Sequence, residues 1–368
     1  MLRLLFFLLI FSSGTLRAAT STVYIARDTT FSGTVLLNSH LVIRPGKTLT
    51  VAPGAEIRLS RGINITTDSG AFIVANGTAA QPVRIVPLRP STYWGSIHAK
   101  GTGSSVVISH AEVVGGQIKA SDSAVCDVSD SYLHDYNLND NPIIFTRDAA
   151  YAHVARTRVS NYYEMNMVRT LSLVEDCLFE FTTADAIDFD NSPAGTLIRR
   201  TTIRYGRGTN IDAIDWGKVD FKPPGSQGRV ENCLIHDFSD KGVSVGEGCL
   251  DVTVTGCLIY RCGAGVAVKD SSLAEIFNNT FYGCEFGIEA VEKNPGLGGG
   301  HAVAYNNIIW GNGAAYYINS DGTIDDSYSD IQGATDTANA ILSVDPLFMN
   351  VAADDFRLQP LSPVLGVG

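Results

Sequence analysis

Val230-Glu-Asn-Cys-Leu-Ile235 and Val254-Thr-Gly-Cys-Leu-Ile259 repeat one pattern, and Ile276-Phe-Asn-Asn-Thr-Phe281 repeats it again. Upstream, Val107-Ile-Ser-His-Ala-Glu-Val113 and Val128-Ser-Asp-Ser-Tyr-Leu133 fit the same frame. Their alignment gives one equivalent position per unit, at Ala111, Ser131, Thr157, Cys177, Thr201, Cys233, Cys257, Asn279, Asn307 and Ser327, with spacings of 20 to 32 residues and a mean of 24. That is the length of one turn of a right-handed parallel β-helix, in which short strands joined by bends stack on the next turn. Side chains at the equivalent position then form an inward ladder at the inter-strand spacing of about 4.8 Å and satisfy turn backbone groups. The fold class is therefore all-β, a single-stranded right-handed parallel β-helix of about 12 or more turns.

The rest of the sequence agrees. Helical periodicity is nearly absent, and Leu41-Val-Ile-Arg-Pro-Gly-Lys-Thr-Leu-Thr-Val51 reads as two alternating strands around a Pro-Gly turn. No linker or low-complexity stretch interrupts residues 20–368, which read as one domain with N- and C-terminal capping segments. Residues 1–19, with Arg3, the apolar run Leu4 to Phe11 and the small pair Ala18-Ala19, read as a secretory signal peptide. No later segment is apolar for long enough to be a membrane helix, so the mature chain is expected to be secreted or at the cell surface, with a monomer as the favoured state. A formal charge of -11 argues against a nucleic-acid partner, because such binding depends on neutralising phosphates.

Seven cysteines leave at least one unpaired. Cys177, Cys233 and Cys257 are ladder residues. Cys262 and Cys284 align one turn apart, as a disulfide or as two stacked thiols, and no Cys-x-x-Cys indicates zinc. His110, His134 and His236 recur near the ladder and read as turn residues. Of the pairs Tyr162-Tyr163 and Tyr316-Tyr317, strand alternation leaves at most one ring each for sugar stacking.

The repeat, the entry segment Val42-Ile-Arg-Pro-Gly-Lys-Thr-Leu-Thr-Val51, and the closing Asp345-Pro-Leu-Phe348 and Phe356-Arg-Leu-Gln-Pro-Leu-Ser-Pro363 resemble secreted bacterial β-helix proteins of the pectate-lyase-like superfamily. The resemblance implies the fold over nearly all of the mature chain, and a superfamily that includes lyases, hydrolases, epimerases and adhesins. Asp185-Ala-Ile-Asp-Phe-Asp190, Asp240-Lys-Gly-Val-Ser-Val-Gly-Glu247 and Gly265-Val-Ala-Val-Lys-Asp270 are also similar to β-helix segments of bacterial surface proteins that accompany spore-coat-H-like kinase domains.

The register places chemistry as well as core. Asp185-Ala-Ile-Asp-Phe-Asp190 returns as Asp212-Ala-Ile-Asp-Trp-Gly217, one turn later. Ile187, Ile214, Val243, Val266 and Ile288 share one inward position, and Phe189, Trp216, Val245, Val268 and Ala290 the next. Asp188, Asp215, Ser244, Ala267 and Glu289 then form an outward column. Asp190, Gly217, Gly246, Lys269 and Val291 form its neighbour, and Asp185, Asp212 and Lys241 share the strand entrance. Stacked carboxylates repel unless a cation or a shared proton intervenes. Calcium is the expected cofactor, with Asp185, Asp188, Asp190, Asp212 and Asp215 as ligands. In the lyases that the chain resembles, an Asp-rich strand holds such a metal, and Asp185-Ala-Ile-Asp188 matches it in part.

The expected function is binding, and cleavage, of an extracellular polysaccharide. Calcium-assisted β-elimination of a polyuronate would use Lys241, Lys269 or Lys218 as the base, whereas Lys241 paired with the acidic ladder is the plainer reading. A carboxylate-pair hydrolase is the competing enzyme class. Glu289, Phe221 and Lys222 are candidate substrate contacts, the last two on a loop that builds a groove or is merely solvated. The alternative to an enzyme is a non-catalytic surface or coat scaffold.

Overall fold

The computed structural model describes residues 21–137, 140–218, 225–335 and 338–367. The signal-peptide reading of residues 1–19, and the substrate contacts expected of Phe221 and Lys222, lie outside the described residues.

Each turn contributes one short strand to each of three parallel sheets, giving a right-handed parallel β-helix. Sheet 1 runs from Thr22–Ile25 to Ala314–Ile318, sheet 2 from Thr29–Phe31 to Thr323–Ser327 with 13 strands, and sheet 3 from Thr34–Leu37 to Asp330–Ile331. Sheets 3 and 1 merge where Leu234–Val245 and Leu258–Lys269 pass the corner as single bent strands. Among the described residues no helix is long and apolar enough to cross a membrane.

The corner from sheet 2 to sheet 3 explains the repeat. The chain turns there on a residue of left-handed φ followed by the ladder residue. The φ values are 46° at His110, 49° at Asp130, 47° at Arg156, 53° at Asn232 and 54° at Asn306, and Gly256 serves once at 66°. A left-handed corner costs free energy in any residue with a Cβ, so something must hold it. The ladder side chain does so by accepting the main-chain N–H of the ladder residue one turn earlier. Ser131 Oγ accepts from Ala111 N at 3.1 Å, Thr201 Oγ1 from Cys177 N at 3.3 Å, Asn279 Oδ1 from Cys257 N at 2.9 Å, and Asn307 Oδ1 from Asn279 N at 3.0 Å. The asparagines also donate, Asn307 Nδ2 to Ile276 O at 2.8 Å, so each fills both roles.

The last ladder member is Ser329, not Ser327. Ser327 pairs with Tyr305 inside sheet 2, and Ser329 Oγ accepts from Asn307 N at 3.0 Å, with Tyr328 as the left-handed corner residue. The turn ends two residues later than the Val/Ile pattern suggests, because Asp325-Asp-Ser327 carries no apolar marker. A second correction concerns histidine. His110 is a corner residue, but His134 and His236 stand within sheet 3 strands.

The interior follows the inferred register. Ile187, Ile214, Val243, Val266 and Ile288 stack in one file, and Phe189 lies on Trp216 at 4.5 Å between ring centroids in the next. Both rings are fully buried, each stabilising the fold by roughly 1.5–3 kcal/mol. All seven cysteines are buried free thiols, including Cys262 and Cys284. At the C-terminus Phe348–Asn350 and Asp355–Leu358 form an antiparallel hairpin against the outside of sheet 3, where Phe356 meets Tyr260 and Tyr282 and Asp354 binds Arg261.

Replacing Asn279 by Ala strands the Cys257 N–H and the Val254 carbonyl in the core. The expected loss is about 1–3 kcal/mol in denaturant unfolding. An unchanged unfolding midpoint would remove the ladder from the account of the fold.

Candidate functional site

The outward positions of sheet 1 form one unbroken column. It runs Tyr24, Val42, Thr66, His98, Lys119, Phe145, Asn166, Asp188, Asp215, Ser244, Ala267, Glu289 and Tyr317, each directly beside the next. Thirteen strands at about 4.8 Å make a face of roughly 60 Å. Its chemistry changes along its length, from cationic to acidic to mixed and aromatic.

The cationic stretch was not singled out in the sequence. Lys119 and Arg147 both lie over the Phe145 ring, 5.1 Å and 5.6 Å from its centroid, and Lys100 shares the file of Ser121 and Arg147. Neither Lys119 nor Arg147 has an ion pair among the described residues. Burial and the neighbouring Lys119 and Lys100 push the His98 imidazole down to about 4, and burial together with Arg147 lowers the Lys119 ammonium. Positive charge is thus concentrated here without a close ion pair among the described residues, although Asp122, Asp148 and Asp190 lie within electrostatic reach, and such a concentration favours an incoming anion.

The acidic stretch follows at once. Asp188 stands directly beside Asp215, as the register requires. Burial, and then Asp190, Asp215, Glu164 and Asp185, push the Asp188 carboxyl well above the carboxylate range. Asp185 and Glu164 rise to about 7 and Asp212 to about 6, in each case chiefly by burial and then by neighbouring acids. Asp190 rises for the same reasons. Glu164 is a cluster member that sequence reading missed, because it lies outside the repeated hexapeptides. Asn166 was also missed; its position in the Asp188 column was the available signal. Its Nδ2 donates to Asp188 Oδ2, while its own buried Oδ1 has no hydrogen-bond partner among the described residues.

The five expected metal ligands divide into two groups. Asp185 Oδ1 accepts Asp212 N at 2.7 Å, and Asp212 Oδ1 accepts Lys241 N at 2.9 Å, so these two carboxyl groups cap the backbone at the strand entrance. Asp188, Asp190 and Asp215 remain on the face. Among the described residues no three His, Cys, Asp or Glu side chains converge on a point where a metal ion would sit.

The lysines also divide. Lys269 is buried, lies across Gly246 and donates to Ser244 Oγ at 2.5 Å. A Cβ at position 246 would stand 3.2 Å from Lys269 Cε, so the lysine would have to give by a few tenths of an ångström. Burial lowers the affinity of this amine for a proton, but Asp215, Asp212 and Asp240 more than reverse the effect. Lys269 is therefore held as an ammonium, the wrong state for a general base. Lys241 is ion-paired with Asp240. Lys218 stands at the edge, its N–H on Glu247 Oε2 at 3.2 Å. Glu289 is half-buried in the column, its carboxyl raised chiefly by burial and against the pull of Lys241. Ser244, Ala267 and Lys269, expected to be outward and exposed, are buried. Tyr162 is in the core, whereas Tyr317 is exposed and stacks on Phe286 at 4.9 Å.

Comparison with known proteins shows the fold. A family model described as "Right handed beta helix region" matches residues 162–297. The periplasmic alginate epimerase AlgG superposes with a TM-score of 0.65 at 12% identity, covering 81% of this chain and 78% of that one. A point mutant of the same epimerase, with alanine in place of one aspartate, gives 0.64 at 12% identity over the same shares of the two chains. Pectate lyase Pel9A gives 0.49 at 14% identity, covering 87% of this chain and 82% of that one. No curated protein matches the sequence in a direct comparison. The architecture is a right-handed parallel β-helix.

The raised carboxyl groups make stability depend on pH in a defined direction. Unfolded Asp and Glu titrate near 4, so between about pH 4 and 7 the native cluster binds more protons than the unfolded chain, and stability falls as pH rises through that window. Thermal unfolding is expected to show a lower Tm at pH 8 than at pH 5. Asp188→Asn, a neutral isostere, should raise Tm at pH 8 and flatten the slope. A Tm that rises from pH 5 to 8 in the parent would contradict the assigned protonation.

Proposed function

We propose that this protein is exported, binds an acidic polysaccharide along the sheet 1 face, and cleaves it by carboxyl acid–base chemistry at the Asp188 cluster. The observation that carries the proposal is the juxtaposition, on one face of sheet 1, of Lys119 and its neighbours Lys100 and Arg147 with the Asp188 carboxyl two strands beyond Phe145, held well above the carboxylate range by burial and neighbouring acids. Lys100, Lys119 and Arg147 receive the anionic groups of the polymer. The Asp188 carboxyl delivers its proton to the departing glycosidic oxygen as the carbon–oxygen bond breaks. Asn166 Oδ1 accepts from a substrate hydroxyl, and the neighbouring Asp215 side chain takes up the balancing proton. If that proton comes from the carbon next to the uronate carboxylate, a carbon–carbon double bond forms and the result is elimination; hydrolysis by water would need a base farther from Asp188 than Asp215, which stands one strand spacing away. Lys269 is the buried counter-charge of the cluster rather than the base. Calcium is the competing way to relieve the same repulsion, and it would have to draw Asp188, Asp190 and Asp215 together.

The test is incubation of the protein with polygalacturonate, alginate and a neutral glucan, reading new reducing ends and the ultraviolet absorbance of unsaturated ends. Cleavage of an acidic polymer alone is expected, abolished in Asp188→Asn. Ultraviolet absorbance selects elimination, and reducing ends without it select hydrolysis. Calorimetry with calcium is expected to show no tight site; tight binding lost in Asp188→Asn/Asp215→Asn would restore the metal-assisted lyase. Absence of binding to every polymer would leave the scaffold reading. Binding of an oligo-uronate should also raise the His98 titration point from about 4, as followed by NMR, and a fixed value would separate His98 from the anion site.

A further inference from the structure

At the corner where sheet 3 passes into sheet 1, each turn places one residue at left-handed φ. Asp135, Asn161, Asp237, Gly283 and Gly311 occupy it, with φ from 52° to 68°, and these residue types tolerate that conformation. Arg261, at 52°, is held there by bidentate contacts to Asp237 and by Asp354. Phe181 and Tyr205, on two successive turns, adopt it at 64° and 60°, where a bulky side chain is an outlier. Their rings stack at 5.4 Å and 15°, and Tyr205 is exposed.

These rings line a shallow, open surface depression of about 530 Å³ with Gly206, Arg207 and Asp237. Gly206 is required, since a Cβ there would stand 2.7 Å from both Ile211 Cδ1 and Phe238 Cδ1. Arg207 lies over Phe181 at 4.3 Å and reaches Asn161 Oδ1 at 3.4 Å, but forms no ion pair among the described residues. Asp237 is held below the usual carboxylate range by Arg261 and His236, so it stays ionised as an acceptor. The segment from Tyr205 leads directly into Ile214–Gly217, which carries Asp215, and Phe181 is on the turn that carries Asp188. The depression therefore flanks the acidic cluster on the same turns.

We infer that this depression is an accessory sugar subsite. A pyranose ring lies on the Tyr205 face, its carboxylate on the Arg207 guanidinium and a hydroxyl on Asp237. Conformational strain in two aromatic residues is retained because it presents their rings to ligand. The inference rests on the proposed acidic-polysaccharide reading and adds a second contact region for the same polymer, off the sheet 1 face.

The experiment uses Tyr205→Gly and Arg207→Gln in the full chain, with calorimetric titration by alginate and polygalacturonate oligosaccharides and maltohexaose as neutral control. Glycine is at ease at the corner, so Tyr205→Gly should keep or raise the parent Tm while weakening binding of the acidic oligosaccharide by ~10-fold. Arg207→Gln should weaken it similarly and leave any binding of maltohexaose unchanged. Parental affinity in Tyr205→Gly would overturn the subsite while Asp188-dependent cleavage stood. Equal binding of neutral and acidic oligosaccharides, with Arg207→Gln silent, would overturn the carboxylate assignment. No binding of any probe by the parent would sink this inference and the reading on which it rests.

Discussion

One hydrogen bond, repeated, holds the register of this molecule: the ladder side chain at the sheet 2 to sheet 3 corner accepts the backbone N–H of the ladder residue one turn earlier. A parallel sheet tolerates no slip once its corner is pinned, because a one-residue shift would turn every inward side chain outward. The left-handed residue beside the ladder sets the bend, and the ladder residue satisfies the polar group that the bend exposes. Isoleucine then falls on isoleucine, Phe189 on Trp216, and each outward residue on its counterpart.

The same register generates the electrostatics. Stacking like residues at about 4.8 Å favours apolar and aromatic side chains and is costly for charged ones. Elsewhere the molecule meets that cost by alternating signs between turns, as in Arg156 on Asp130, Arg200 on Asp176 and Glu180 between Arg158 and Arg204. On sheet 1 the alternation is absent. Cations follow cations from Lys100 to Arg147, and acids follow acids from Glu164 to Asp215. The acids respond by keeping protons and by holding Lys269 as a buried ammonium, and the cations by shifting His98 toward neutrality. A chain able to pair charges between turns elsewhere leaves Lys119, Asp188 and Asp215 in this column without an ion pair among the described residues.

The fold was legible because a solenoid writes its geometry into sequence period. Ten aligned positions identified nine ladder residues, and the tenth slipped by two where Asp325-Asp-Ser327 offers no apolar marker. The carboxylate columns were legible from the same alignment. Less legible was what register alone cannot carry: that Asp185 and Asp212 turn to backbone amides, that Lys269 folds across Gly246, and that Glu164 and Asn166 join the cluster from outside the repeated hexapeptide. These depend on side-chain direction and burial. The cationic stretch was hidden by the overall charge of -11, which says nothing about where the positive residues gather.

The central claim is that stacked carboxyl groups on sheet 1 are relieved by protons. Carbon-13 NMR titration of the Asp188 carboxyl carbon in calcium-free protein tests it most directly. The expected result is a protonated carboxyl at pH 7, titrating well above the ordinary aspartate range. A carboxylate already ionised at pH 5, with its signal moved by added calcium, would contradict the claim.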